Sequence, residues 1–192
     1  MARDMPAPHT GTITPGPVGW TRIGVIVGLA IAVTVVVIIK LGSGGAPLAL
    51  AVLVVSLGYA FVTWLRLHIT FRIDANGITP KLGGVWARGM WPAETFRTVQ
   101  LRKVAPSLVG STIGNIGLRS GFVTSSRRND VAPVSGLKVR NSTEPRVDAT
   151  YAVTRGGTLV EIVRKDGGVY LLNSNEPHAT AEAVAEVIRF WR

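Results

Sequence analysis

The stretches IGVIVGLAIAVTVVVII (Ile23 to Ile39) and APLALAVLVVSLGYAFVTWL (Ala46 to Leu65) lie almost end to end, and neither contains a charge. A bilayer core of about 30 Å needs about 20 apolar residues in a helix. The second run meets this outright, and the first does so with Trp20, Thr21 and Leu41 at its ends. The connector Lys40-Leu-Gly-Ser-Gly-Gly45 is too short to hold a domain. Pro47 suits a first helical turn, where its missing N–H would be unpaired anyway. Residues 19–65 are therefore read as a two-helix transmembrane hairpin with both chain ends on one side.

Basic residues assign the side. The connector offers only Lys40, whereas the other ends carry Arg3, Arg22, Arg66, Arg72, Lys81 and Arg88. Basic flanks are retained in the cytoplasm, so the expectation is a multi-pass protein of the inner membrane with both termini cytoplasmic. Trp20 and Trp64 fall at the two helix ends that this topology brings to one headgroup layer. A cleaved signal peptide is the competing reading of the first run. It fits poorly, because secretory apolar regions span about 7 to 15 residues before a small-residue cleavage site. The chain has no cysteine, which excludes disulfides, thiol nucleophiles and zinc-thiolate sites.

Residues 1–18, MARDMPAPHTGTITPGPV, are rich in Pro, Thr and Gly without apolar periodicity. They are expected to form a flexible tail. Residues 66–192 are long enough for a domain with its own core. Leu67, Ile69, Phe71 and Ile73 alternate with His68, Thr70, Arg72 and Asp74, the period of a half-buried strand. Asn76-Gly77 turns the chain into a return strand over Ile78 to Leu82. A break at Gly83-Gly84 leads through Val85 to Met90 and Trp91 to Phe96 into a strand from Arg97 to Val104. Further strands are expected over Ala149 to Thr154, Thr158 to Arg164 and Val169 to Asn173, the last two as a hairpin. Residues 105–148 yield no strand layout. Over 176–191, Ala181, Val184, Val187, Ile188 and Trp191 follow helical spacing, with Ser174 and Asn175 as caps. The fold class is α+β: the N-terminal hairpin, then a mostly antiparallel β barrel or sandwich closed by a C-terminal amphipathic helix.

The hairpin turning at Asp74-Ala-Asn-Gly77, the Trp91-Pro-Ala-Glu-Thr-Phe96 element and the final strand, strand and helix from Thr158 resemble the bacterial pleckstrin-homology-like (PH-like) domains of two-helix membrane proteins. Gly114-Asn-Ile-Gly-Leu-Arg119 is similar to a glycine-containing segment of some of them. The resemblance covers about two thirds of the soluble part and implies a binding or scaffolding module. In pleckstrin-homology domains that bind phosphoinositides, the contacts come from basic residues around the first hairpin. Here that turn is short and acidic, with only Lys81 after it, which argues against headgroup recognition at that place.

Catalysis needs converging titratable groups. His9, His68 and His178 are scattered, Glu94 is isolated, and Gly110-Ser-Thr-Ile-Gly114 lacks the Lys-Ser/Thr of a phosphate loop. The expectation is a protein that is not an enzyme, with no cofactor and no metal site. Residues 66–192 hold 18 Lys and Arg against 10 Asp and Glu, a net +8 beside an anionic leaflet. Arg102, Lys103, Arg127, Arg128, Lys138, Arg140, Arg164 and Lys165 are the candidate patch for anionic lipid or an acidic partner. Nucleic acid is disfavoured, because these residues are not interleaved with aromatics. Gly24, Gly28 and Ala32 form a small-residue ridge whose most economical use is packing on the second helix. Neither span carries a charge in its middle, which disfavours a transport path. These features point to a membrane-anchored adaptor, an accessory or assembly subunit of a larger membrane protein complex in respiration, transport or envelope synthesis. The alternative is a sensor or regulator that binds the anionic lipid surface.

Overall fold

The computed structural model describes residues 5–113 and 115–192. Arg3 and Gly114 lie outside them. The first element is a strand that the composition of the tail conceals, β1 (His9–Ile13), which leads directly into α1 (Pro17–Leu41). A 3-10 turn over Gly42–Gly45 reverses the chain into α2 (Ala46–Leu67). The two helices lie against each other. Ile23, Ile26, Val27, Ala30, Thr34 and Val37 on α1 recur at helical spacing as the partly or fully buried stripe, and most other side chains of the pair are exposed. Only 6% of its most apolar window is buried inside the molecule, so 17–67 is not a core element of a soluble fold, and it is long and apolar enough to cross a membrane.

After α2 come β2 (Ile69–Asp74), β3 (Gly77–Leu82) and the short β4 (Trp86–Ala87) and β5 (Trp91–Pro92). Strand β2 pairs antiparallel with β3, as the Asn76-Gly77 turn implies, and on its other edge with β1, from His9 opposite Ile73 to Ile13 opposite Ile69. The expectation of a free tail is thus corrected. Residues before the helices and residues after them form one ladder, and the whole helical hairpin is an insertion into the first sheet, of order β1-β2-β3-β4 with β5 also on β3. The far side of β1 is fastened as well. Asn175 donates its backbone N–H to the Thr12 carbonyl at 3.0 Å and its amide to Thr12 Oγ1 at 3.0 Å, and Thr154 Oγ1 donates to the Thr14 carbonyl at 2.7 Å.

The second sheet is built from β6 (Phe96–Val104), β7 (Gly117–Thr124), β8 (Val131–Pro133), β9 (Arg146–Val153), β10 (Gly157–Arg164) and β11 (Val169–Leu172), in the order β7-β9-β11-β10-β6-β8. A short helix α3 (Val109–Ile113) precedes β7. The expected β10–β11 hairpin is present, but β9 does not pair with β10 despite the tight link between them. It pairs parallel with β11, Val169 opposite Ala149 through Leu172 opposite Ala152, so the sheet is mixed. Both faces of this sheet are covered. Val160, Ile162, Tyr170 and Leu172 meet the first sheet and α4 (Pro177–Phe190), while Leu159, Val169 and Leu171 join Val109 and Ile113 of α3 on the other face. Central strands buried on two sides read as continuous apolar runs, which is why β10 and β11 lack clean alternation.

Helix α4 buries Ala181, Val184, Val187 and Ile188 as its spacing predicts. Trp191 departs from that stripe. It lies just past the helix, 48% exposed, with its indole N–H donating to the Ala75 carbonyl at 2.6 Å. Capping also differs: Ser174 accepts from the Glu176 N–H at 3.0 Å, whereas Asn175 is taken up by β1.

Gly11 has no room for a side chain, because a Cβ built there would overlap the ring of Phe71, itself buried in the core. Gly11→Val is expected to cost about 1–3 kcal/mol through overpacking and to expose the β2 edge. A lowered melting temperature in detergent with faster amide exchange over residues 69–73 is the expected result. An unchanged melt and unchanged exchange would show that β1 contributes nothing to the domain.

Candidate membrane-proximal binding cleft

The candidate patch residues do not act as one surface. Neighbours on a strand point to opposite faces, and the Arg102-Lys103 pair obeys this: Lys103 is exposed, whereas Arg102 is 4% exposed inside the sheet. There its guanidinium donates to Glu161 Oε2 at 3.2 Å and to the Thr124 carbonyl at 2.8 Å. Glu161, opposite Gln100 across β6 and β10, also accepts from Gln100 Nε2 at 3.0 Å and Ser126 Oγ at 2.9 Å. Burial pushes the Glu161 carboxyl pKa up, and Arg102 with these donors pulls it part of the way back. Arg102 is therefore corrected from a surface contact to a structural ion. Arg164 is also engaged, paired with Asp148 at 2.6 Å and Asp166 at 3.1 Å, with its guanidinium 5.3 Å from the Tyr170 ring centroid.

Arg127, Arg128, Lys138, Arg140 and Lys165 are exposed. Lys138 and Arg140 stand on a loop tied to β6, where Thr98 Oγ1 donates to the Lys138 carbonyl at 3.1 Å and Gln100 exchanges hydrogen bonds with the Arg140 backbone at 2.8 and 2.9 Å. That loop places them with Arg97 and Arg192 around one cleft, at the end of the domain where Trp191 meets the β2–β3 turn. Arg97 and Arg192 are absent from the sequence-based patch because nothing local links them to Lys138.

The larger basic cleft lies at the opposite end of β2, where α2 enters the domain. It has a volume of about 590 Å³ and is bordered by Arg66 from the last turn of α2, Arg88 from the link between β4 and β5, and Arg119 from β7. All three are exposed, and no Asp or Glu is found among the described residues that line it. Its floor is apolar, with Trp91 stacked on Tyr170 at 4.7 Å between ring centroids, and Ser120 and Thr150 in hydrogen-bond contact at 3.2 Å on one wall. Beside it Gly83 and Gly84, at φ +59° and +76°, turn β3 into β4 tightly against α2. A Cβ on Gly83 would come within 2.6 Å of the Leu65 side chain. Val85, Trp86 and Met90 follow this turn and are exposed by 75%, 61% and 50%.

The three histidines stay apart. His9 lies beside Phe71 on β1, His68 stacks on Trp64 at 5.3 Å, and His178 is exposed on α4. Among the described residues no group of His, Cys, Asp and Glu has the makings of a metal site. On α1, Gly24, Gly28 and Ala32 are exposed, and a Cβ on either glycine would meet nothing within 4 Å. The ridge therefore does not pack on α2, contrary to the expectation. The seam uses the opposite stripe, where Ala30 is buried.

No family model matches the sequence, and no curated protein or solved structure matches it either.

Removing one member of a buried ion pair strands the other. Glu161→Gln is expected to destabilise the domain by about 3–5 kcal/mol. Arg102→Leu combined with Glu161→Leu is expected to recover a large part of that loss. Equal melting of Glu161→Gln and wild type would show that Arg102 finds solvent.

Proposed function

We propose that this chain is a non-catalytic, membrane-anchored adaptor that holds a PH-like domain at the cytoplasmic face of the cell membrane, as an accessory subunit of a larger membrane complex. The observation that carries the reading is the β1–β2 ladder, which joins the two ends of the helical hairpin in one sheet. A hairpin closed in this way returns to the side from which it starts. The domain then sits on the headgroup layer without a flexible linker, and the net positive charge of residues 66–192 favours the anionic leaflet. Two sheets followed by a C-terminal helix packed on the core are consistent with the PH-like resemblance.

Two surfaces suit protein partners. The outward ridge of Gly24, Gly28 and Ala32 lets a foreign helix approach closely, and the cleft of Arg97, Lys138, Arg140 and Arg192 faces away from the hairpin, where it suits an acidic segment. A second reading, direct engagement of the lipid surface, is favoured by the Arg66, Arg88 and Arg119 cleft at the hairpin base.

The absence of cysteine permits a direct topology test with single substitutions. In intact cells a membrane-impermeant maleimide is expected to label Ser43→Cys in the connector and to leave Asn141→Cys in the domain unlabelled. Labelling of Asn141→Cys from outside would overturn the orientation. Gly24→Ile with Gly28→Ile is expected to leave the domain's melting unchanged and to reduce recovery of associated subunits in mild detergent. Full recovery would remove the ridge from the interface.

A further inference from the structure

We propose that the cleft between Arg66, Arg88 and Arg119 binds the phosphate headgroup of an anionic phospholipid, with Val85, Trp86 and Met90 set into the interfacial layer beside it. The proposal rests on the reading that the hairpin spans the bilayer; it deepens the second reading above by naming the group bound and the interfacial side chains beside it.

Three observations converge. The first is unbalanced charge. The ion pairs among the described residues are Arg72 with Asp74, Arg102 with Glu161, and Arg164 with Asp148 and Asp166, and none involves the three arginines of the cleft. Guanidinium groups brought from three separate elements to one concavity repel one another, and an anion relieves that repulsion. Their planar donor sets suit phosphate oxygens in particular.

The second is amphipathic lining. Beneath the arginines the cleft is bordered by Leu67, Leu118, Trp91 and Tyr170, so polar and apolar groups share its lining. A charged group at the mouth with an apolar continuation is the chemistry of a phospholipid headgroup and the start of its chains. The Ser120–Thr150 hydroxyl pair, bonded to each other, leaves one O–H free as a neutral donor for a glycerol or ester oxygen between.

The third is depth. Arg66 follows Leu65 at the end of α2, and Gly83 packs on Leu65, so the β3–β4 turn stands level with the last turn of the helix. Exposed Val85, Trp86 and Met90 would lie unprotected in water on a free domain. At this level they meet the headgroup and acyl boundary, where an indole is at home and neighbouring arginines reach phosphate. The second basic cleft lies at the far end of β2 beside Trp191, whose indole N–H is taken by the Ala75 carbonyl, and away from the end at which α2 enters.

The test uses the full chain in zwitterionic detergent, titrated with short-chain phosphatidylglycerol, phosphatidylcholine or inorganic phosphate. Binding of phosphatidylglycerol in preference to phosphatidylcholine is expected. The triple variant Arg66→Gln, Arg88→Gln, Arg119→Gln is expected to weaken it about tenfold or more, as loss of charge-assisted hydrogen bonds does. The control Arg97→Gln, Lys138→Gln, Arg192→Gln removes the same charge from the distal cleft and is expected to leave binding near the wild-type value. Equal weakening by both variants would assign the affinity to diffuse charge and overturn the site. Full displacement of lipid by inorganic phosphate would assign the cleft to a soluble ligand and overturn the lipid class. Should the triple variant fail to fold, Arg88→Gln alone, on the exposed link after β4, carries the same comparison. The measurement is made in micelles and does not depend on orientation. A null result with the Ser43→Cys and Asn141→Cys labelling pattern intact therefore removes the cleft alone and leaves the anchor standing.

Discussion

The pairing of β1 with β2 is the constraint on which the rest of the molecule depends. Five residues before the helical hairpin and five after it share one antiparallel register, so the helices enter and leave the domain through adjacent strands of a single sheet. Little slack remains on either side. Residues 14–16 join β1 to α1, and His68 alone joins α2 to β2. Gly16 sits so close to Arg155 that a Cβ there would come within 2.5 Å of it, and Asn175 holds β1 from its free side. The short connections leave little room for the domain to pivot about a linker. Pairing β1 with β2 also closes a loop of more than 50 residues, and the entropic cost of that closure is smaller once the helical hairpin has formed.

The second sheet follows from a different necessity, because it is buried on both faces. Tertiary burial from the first sheet and α4 covers one side, while α3 covers only part of the other. The remainder of that outer face carries Gln100, Arg102 and Glu161, which find their partners in residues 124–126 and 140. A charge in such a place needs a counterion and further donors, and both are present. This polar seam explains why much of the chain between β7 and β9 runs without long strands. Its role is to satisfy side chains beneath it, and Thr98 and Gln100 hold the Lys138 to Arg140 backbone against β6 for that purpose.

Periodicity made part of this architecture legible in the sequence. The uncharged runs announce the helices, the alternation over Leu67 to Asp74 announces β2, Asn76-Gly77 announces its turn, and the spacing from Ala181 to Ile188 announces the buried face of α4. Strand β1 escaped because His-Thr-Gly-Thr-Ile is short and offers one buried apolar side chain, Ile13; its stability comes from backbone pairing and from Asn175, which no local pattern encodes. The parallel union of β9 and β11 escaped for a related reason. The tight link over residues 154–156 suggests a hairpin, yet the chain passes over β11 to reach its place beside β6. The candidate surface suffered from reading basic pairs as units. Strand geometry sends Arg102 inward and Lys103 outward, and the arginines that do converge, 66, 88 and 119, come from elements far apart in sequence.

Fixed attachment gives these convergences a direction. Strand β2 begins at Ile69 beside the end of α2 and finishes at the Asp74 turn, where Trp191 bonds to Ala75. The arginine cleft lies at the first end and the Arg97, Lys138, Arg140 and Arg192 cleft at the second. Basic residues collected at two ends of one strand cannot both meet one leaflet while the ladder holds. The end at α2 carries exposed Val85, Trp86 and Met90, so the lipid contact we propose there would combine apolar contact with charge. On that proposal the other end, with its charge intact, faces the aqueous phase. A diffuse positive surface would leave the domain free to choose its orientation, whereas the lipid contact we propose at the α2 end, with charge divided between the two ends of β2, would select one orientation and leave the other basic cleft open to solvent.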